Sequence, residues 1–142
     1  EGRLGRKTNA GFYEYDDKGK RTGLWAGLNE TWPINETQPE FKDIKNRLIL
    51  SQVLEAIKAL EEGVLEDIRE GDVGAILGWG FAPWSGGPFG WVDIKGLRNV
   101  VEICNKLSLS EGDRFSAPKL LVEMANNNQT FYGKYRKNKD VA

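Results

Sequence analysis

The chain has 142 residues, of which 39% are hydrophobic and 29% charged, with 20 basic residues against 21 acidic ones. That profile fits one soluble globular domain, or one domain with an arm, and its near-neutral balance argues against nucleic acid or an anionic membrane as the main partner. The absence of histidine excludes Ser–His and Cys–His catalysis within the chain, and with a single cysteine, Cys104, no zinc site is expected.

A lone cysteine fits a reducing compartment, so a cytoplasmic location is expected. No apolar run approaches the roughly 18 residues of a membrane span, and no signal-peptide pattern opens the chain. The sequence does not begin with Met, and its only Met is Met124. The expectation is therefore a processed product or a piece of a longer protein.

In chain order, residues 1–36 read as an arm, basic, glycine-rich and punctuated by aromatics. Phe12, Tyr13 and Tyr15 suit a short extended stretch, and "DDKGKRTG" reads as an exposed turn. Trp25, Leu28, Trp32 and Pro33 suggest that the arm lies against the body. Thr37 is expected to open a helix: "TQPE" sets a Thr N-cap three residues before Glu40, with Pro39 in the first turn. Ile49, Val53, Ile57, Leu60 and Val64 then recur at helical spacing, and Gly63 suits the C-terminal cap. A second helix is expected from Asp67 to Leu77.

There follows "GWGFAPWSGGPFGWVD", residues 78–93, with five Gly, three Trp, two Phe and two Pro. Its glycines break periodicity, and Pro88 can start a new helix. Ile94 to Leu107 reads as one helix with Leu97, Val100, Val101, Cys104 and Leu107 on a single face. "SLSEGDRFS" reads as a loop, and Pro118 opens a last helix through Met124, ended by "NNNQ". The sum is an all-α, compact helical domain over 37–135 with an irregular N-terminal arm over 1–36 and a tail over 136–142. "GFYEY" at 11–15 is echoed by "TFYGKY" at 130–135, which suggests that the chain begins inside one repeat unit and contains a complete second one.

Several chemical signals weaken on inspection. "GWGFAP" begins as a GxG, but Pro83 stands where GxGxxG needs its third glycine, and no strand precedes it. Glu61, Glu62, Glu66, Asp67, Glu70 and Asp72 read as a solvated face and a helix N-terminus rather than a catalytic pair. Arg3, Arg6 and Lys7, or Lys134, Arg136 and Lys137, could meet a phosphate, although basic chain ends are ordinary. Cys104 reads as inert packing. For the aromatic turn, the expectation is that Trp79, Phe81, Trp84, Phe89 and Trp91 are buried and lock helices together. The alternative is a freestanding aromatic binding module for sugar or peptide.

Three stretches resemble one family. "GRLGRKTNAGFYEY" resembles the end of the α-helical C-terminal domain of 3-hydroxyacyl-CoA dehydrogenases. Residues 44–97 resemble the body of that domain, with its long helix, glycine-rich turn and "GPF…D…G" segment. "GDRFSAPKLLVEMANNNQTFY" resembles the end of the second copy of the domain in multifunctional fatty-acid β-oxidation enzymes. The resemblance implies NAD-dependent oxidation of (3S)-3-hydroxyacyl-CoA to 3-oxoacyl-CoA by the parent enzyme, which can also carry an enoyl-CoA hydratase domain. It implies that NAD binds on an upstream Rossmann domain, so no cofactor is expected on this chain, and that the chain alone is inactive. Asn46 matches the place of a family asparagine that assists catalysis in the first copy; in a second copy it is expected to be structural. The implied partners are the upstream Rossmann and helical domains and the parent's acyl-CoA substrate. Self-association is expected through the long helix around Ile49 to Leu60.

Overall fold

The computed structural model describes residues 2–135. The chain divides into two units after Pro39. In the first, β1 (Tyr13–Tyr15) pairs antiparallel with β2 (Arg21–Leu24), and a single helical turn, α1 (Leu28–Thr31), follows. The hairpin turn forms where the polar run predicts it. Asp16 Oδ1 accepts the amides of Lys18 and Lys20 at 2.9 and 2.8 Å, an Asx turn that needs no help from outside. Arg3 fastens the unit: it donates to the Gly11 carbonyl at 3.0 Å and to Glu14 at 2.7 Å, with its guanidinium 4.2 Å from the Trp25 ring centroid.

The second unit is helical: α2 (Phe41–Glu61), α3 (Ile68–Trp79), α4 (Pro88–Lys95), α5 (Leu97–Glu111), α6 (Lys119–Asn126) and α7 (Phe131–Tyr135). The all-α reading holds, and the N-terminal hairpin is the only sheet among the described residues. No helix among them is long and apolar enough to cross a membrane.

Three helix readings change. The long helix starts at Phe41, not Thr37, with Glu40 as N-cap. Gln38 precedes a proline, whose ring pushes it out of helical conformation. Thr37 instead closes a turn in which its amide donates to Asn35 Oδ1 at 3.1 Å. The expected single helix over Ile94 to Leu107 is two helices, because Gly96, at φ +83°, breaks the chain between α4 and α5. Ile94 consequently sits at the exposed end of α4. Finally, the helix after Pro118 does end at "NNNQ", but it is not the last: α7 follows it. The "GFYEY" echo is therefore one of sequence only, since its first member is strand and its second is helix. The second is helical because Asp93 caps it, as described below.

The core lies where α4 meets its neighbours; α2, α3, α5 and α7 all pack on it. Leu50, Val53, Leu54 and Ile57 of α2, Phe89 and Val92 of α4, Val100 and Cys104 of α5, Leu121 and Met124 of α6 and Phe131 of α7 are fully buried. Each large apolar side chain taken out of water contributes roughly 1.5–3 kcal/mol. Phe89 and Phe131 stack at a tilt with centroids 5.1 Å apart, joining α4 to α7. The expected self-association stretch, Ile49 to Leu60, is largely spent in this core. The apolar residues α2 leaves outside are Phe41, Ile44 and Leu48, one or two turns earlier on its other side.

Candidate functional site

The end of the glycine-rich turn is held by one carboxylate. Asp72, on α3, accepts the amides of Phe89 at 2.7 Å and Gly90 at 3.1 Å, the open N-terminus of α4. It also accepts the Tyr132 hydroxyl of α7 at 2.8 Å. Pro88 occupies the first helical position of α4 and has no N–H to satisfy. Gly87 must be glycine twice over: its φ is +99°, and a Cβ there would lie 2.4 Å from that of Asp72. Burial pushes the Asp72 carboxyl above the usual range, against the pull of its three hydrogen bonds. Burial, then the bond to Asp72, pushes the Tyr132 phenol up to about 12.

Two other acids repeat the device. Asp93, on α4, accepts the amides of Phe131 at 2.7 Å and Tyr132 at 2.9 Å, capping α7. Glu61, at the end of α2, accepts the amide of Leu120 at 2.9 Å, in the first turn of α6. Asp67 caps its own helix, through the Arg69 amide at 2.9 Å. The acidic stretch is thus not a uniform solvated face. Asp72 is 2% exposed and caps a different helix from its own. A signal for this was present in the sequence: Ile68, Asp72 and Ala75 fall on one helical stripe, and a carboxylate on an apolar stripe needs donors brought to it.

The aromatic turn is split rather than wholly buried. Phe81, Phe89 and Trp91 are core residues, but Trp79 is 61% and Trp84 70% exposed. Trp79 ends α3 at the surface, where its Nε1 donates to Gln52 Oε1 on α2 at 3.0 Å. Trp84 sits in the 3-10 turn Pro83–Ser85, whose next residue inward, Ser85, takes the buried place and donates to the Ala82 carbonyl at 2.6 Å. The turn therefore buries Ser85 and presents Trp84.

Trp84 lines a groove of about 510 Å³ between α2 and α4. Lys42 and Lys45 stand on the α2 wall and Lys95 on the α4 wall, with Phe41, Trp91 and Ile94 supplying apolar surface. Lys45 Nζ lies 5.5 Å from the Trp84 ring centroid. Asn46 is here too, 7% exposed in the groove wall, and its side chain makes no hydrogen bond among the described residues. The basic residues singled out at the chain ends do not join this groove among the described residues. Arg3 is committed to Glu14, Lys134 lies 5.5 Å from the Tyr135 ring centroid, and Arg136 and Lys137 fall outside the described residues. Cys104 is fully buried, and desolvation pushes its thiol up to about 11.

No family model matches the chain. Curated proteins do. Over 133 residues it is 37% identical to the fatty acid oxidation complex subunit alpha of Vibrio parahaemolyticus, a match covering 93% of this chain and 19% of that protein. The subunit of the same name from Vibrio campbellii is 38% identical over 134 residues, and that from Shewanella frigidimarina 36% over 137, with the same coverage. The chain spans about a fifth of the length of these relatives. Along nearly its whole length, then, the chain is similar to one segment of the fatty acid oxidation complex alpha subunit.

Proposed function

We propose that the chain is the non-catalytic helical part of an NAD-dependent 3-hydroxyacyl-CoA dehydrogenase of fatty-acid β-oxidation. In this reading the parent oxidises (3S)-3-hydroxyacyl-CoA to 3-oxoacyl-CoA with domains that lie elsewhere, and this segment supports them by packing against a tandem helical copy or a second subunit. The observation that carries the reading is the match to alpha subunits over 93% of the chain but 19% of theirs. The use of the buried acids supports it. Asp72 is spent on holding helix ends together, which suits a scaffold. Apolar side chains remain exposed for a partner: Phe41, Ile44 and Leu48 on α2, and Val73 and Leu77 on α3.

A segment exchange tests it. The matching fifth of the Vibrio parahaemolyticus alpha subunit is replaced by this chain, and NADH formation from a 3-hydroxyacyl-CoA is followed. Retained activity in the exchange, with none from the chain alone, is the expected result. A folded but inactive exchange, or NADH production by the isolated chain, overturns the proposal.

A further inference from the structure

We propose that the groove between α2 and α4 binds a nucleotide ending in a free phosphate. The reading starts from charge. Three lysines, Lys42, Lys45 and Lys95, line the groove from both walls, and no carboxylate lines it with them. The ion pairs of the described residues are made by Arg3, Arg47, Lys58, Arg69 and Lys106, so none of these three ammonium groups is paired. Like charges gathered without a counter-charge repel one another and draw in an anion. Lysine ammoniums act as compact, rotatable point charges, which suits the dianionic oxygens of a terminal phosphate.

The remaining lining selects the rest of the ligand. Trp84 offers a largely exposed indole beside Lys45, and such a ring stacks a planar base whatever its sequence identity. Asn46 offers both a donor and an acceptor from a nearly buried amide that has no partner among the described residues. A base edge or a ribose hydroxyl satisfies both. The volume, about 510 Å³, falls within the roughly 300–1,000 Å³ of small-molecule sites. A neutral sugar would leave the three charges unanswered. NAD, whose two phosphates are joined by an anhydride and each esterified to a ribose, lacks the terminal dianion. The proposal does not depend on the dehydrogenase reading, since a segment exchange can be active whether or not this groove takes a ligand.

The test is calorimetric titration of the whole 142-residue chain with ADP, adenosine, pyrophosphate and NAD. One saturable ADP site is expected, with adenosine, pyrophosphate and NAD each weaker by about tenfold or more. Lys45→Glu and Trp84→Ala should each weaken ADP by about tenfold, and Asn46→Ala by about fivefold. Lys18→Glu, in the hairpin turn, should leave it unchanged. Circular dichroism confirms that the variants fold. Raising the salt should weaken ADP binding, because the lysines are exposed to screening. Absence of saturable heat at millimolar ADP overturns the proposal, as does unchanged binding in the Lys45 and Trp84 variants. Pyrophosphate binding as tightly as ADP also overturns it, because the base then contributes nothing. An acidic peptide that binds this groove where ADP does not assigns it to a protein partner instead, and also overturns it.

Discussion

Replacing Asp72 by alanine strands three donors at once: the amides of Phe89 and Gly90 and the hydroxyl of Tyr132. The loss of an N-cap alone costs about 1 kcal/mol. Each buried donor left without a partner adds roughly 1–3 kcal/mol. Removing a carboxylate that burial already disfavours, as its raised pKa shows, returns part of that. The net expectation for Asp72→Ala is about 3 kcal/mol of lost stability, read as a fall in Tm of about 10–20 °C for a helical unit of this size. Asp72→Asn keeps the shape and one acceptor oxygen, so it should cost roughly half as much. Tyr132→Phe removes only one of the three bonds and should cost about 1 kcal/mol. Urea unfolding followed by far-UV circular dichroism measures all three. The double variant Asp72→Ala/Tyr132→Phe separates this account from a general loss of packing: with the acceptor gone, removing the hydroxyl should cost almost nothing further. Strictly additive losses, or an Asp72→Ala cost below about 1 kcal/mol, would refute the reasoning.

Gly87→Ala should destabilise by about 3 kcal/mol in the same assay, since a positive φ and a collision with Asp72 coincide there. Tyr132 stays protonated in the folded state up to about 12, whereas an unfolded tyrosine ionises near 10. The folded state then binds the extra proton, so this stabilising contribution is intact below about pH 10 and is lost as pH rises through about 12; Tyr132→Phe should flatten that alkaline decline in a pH series of unfolding curves. Cys104 should react with a thiol reagent only at the rate of unfolding, given its complete burial and a thiol pushed up to about 11. Leu48→Glu should lower any dimer fraction seen by sedimentation velocity, because Leu48 lies at 64% exposure on the open apolar face of α2; a dimer that survives it uses another surface.

Periodicity made the body's helices legible because α2, α3 and α5 each bury a regular stripe, and their glycine and proline punctuation marks real ends. Gly63 and Gly80 follow α2 and α3 with positive φ, and Pro88 opens α4. What local pattern could not carry was supplied by residues far away in sequence. The five described residues of α7, Phe131–Tyr135, carry no pattern that would hold a helix in water by itself, and their start is fixed by Asp93, which caps it from 38 residues away in the chain. The fate of each tryptophan was equally hidden. Trp84 and Trp91 have the same hydrophobic content, and only the direction of the 3-10 turn at Pro83–Ser85 puts one outside and the other in the core. Asn46 was singled out by resemblance; that its amide shares a groove with three lysines follows from the packing of α4 on α2.

The three-way clasp at Asp72 ties together residues separated by 17, 18 and 60 positions. Its completion must therefore wait until α7 has been made and brought back. A chain stopped before Thr130 would leave this knot open, with a buried charge short of one partner and Phe89 short of the ring it stacks on. The α7 segment is the closing stitch of the helical unit, and loosening it should be felt at the start of α4, far upstream.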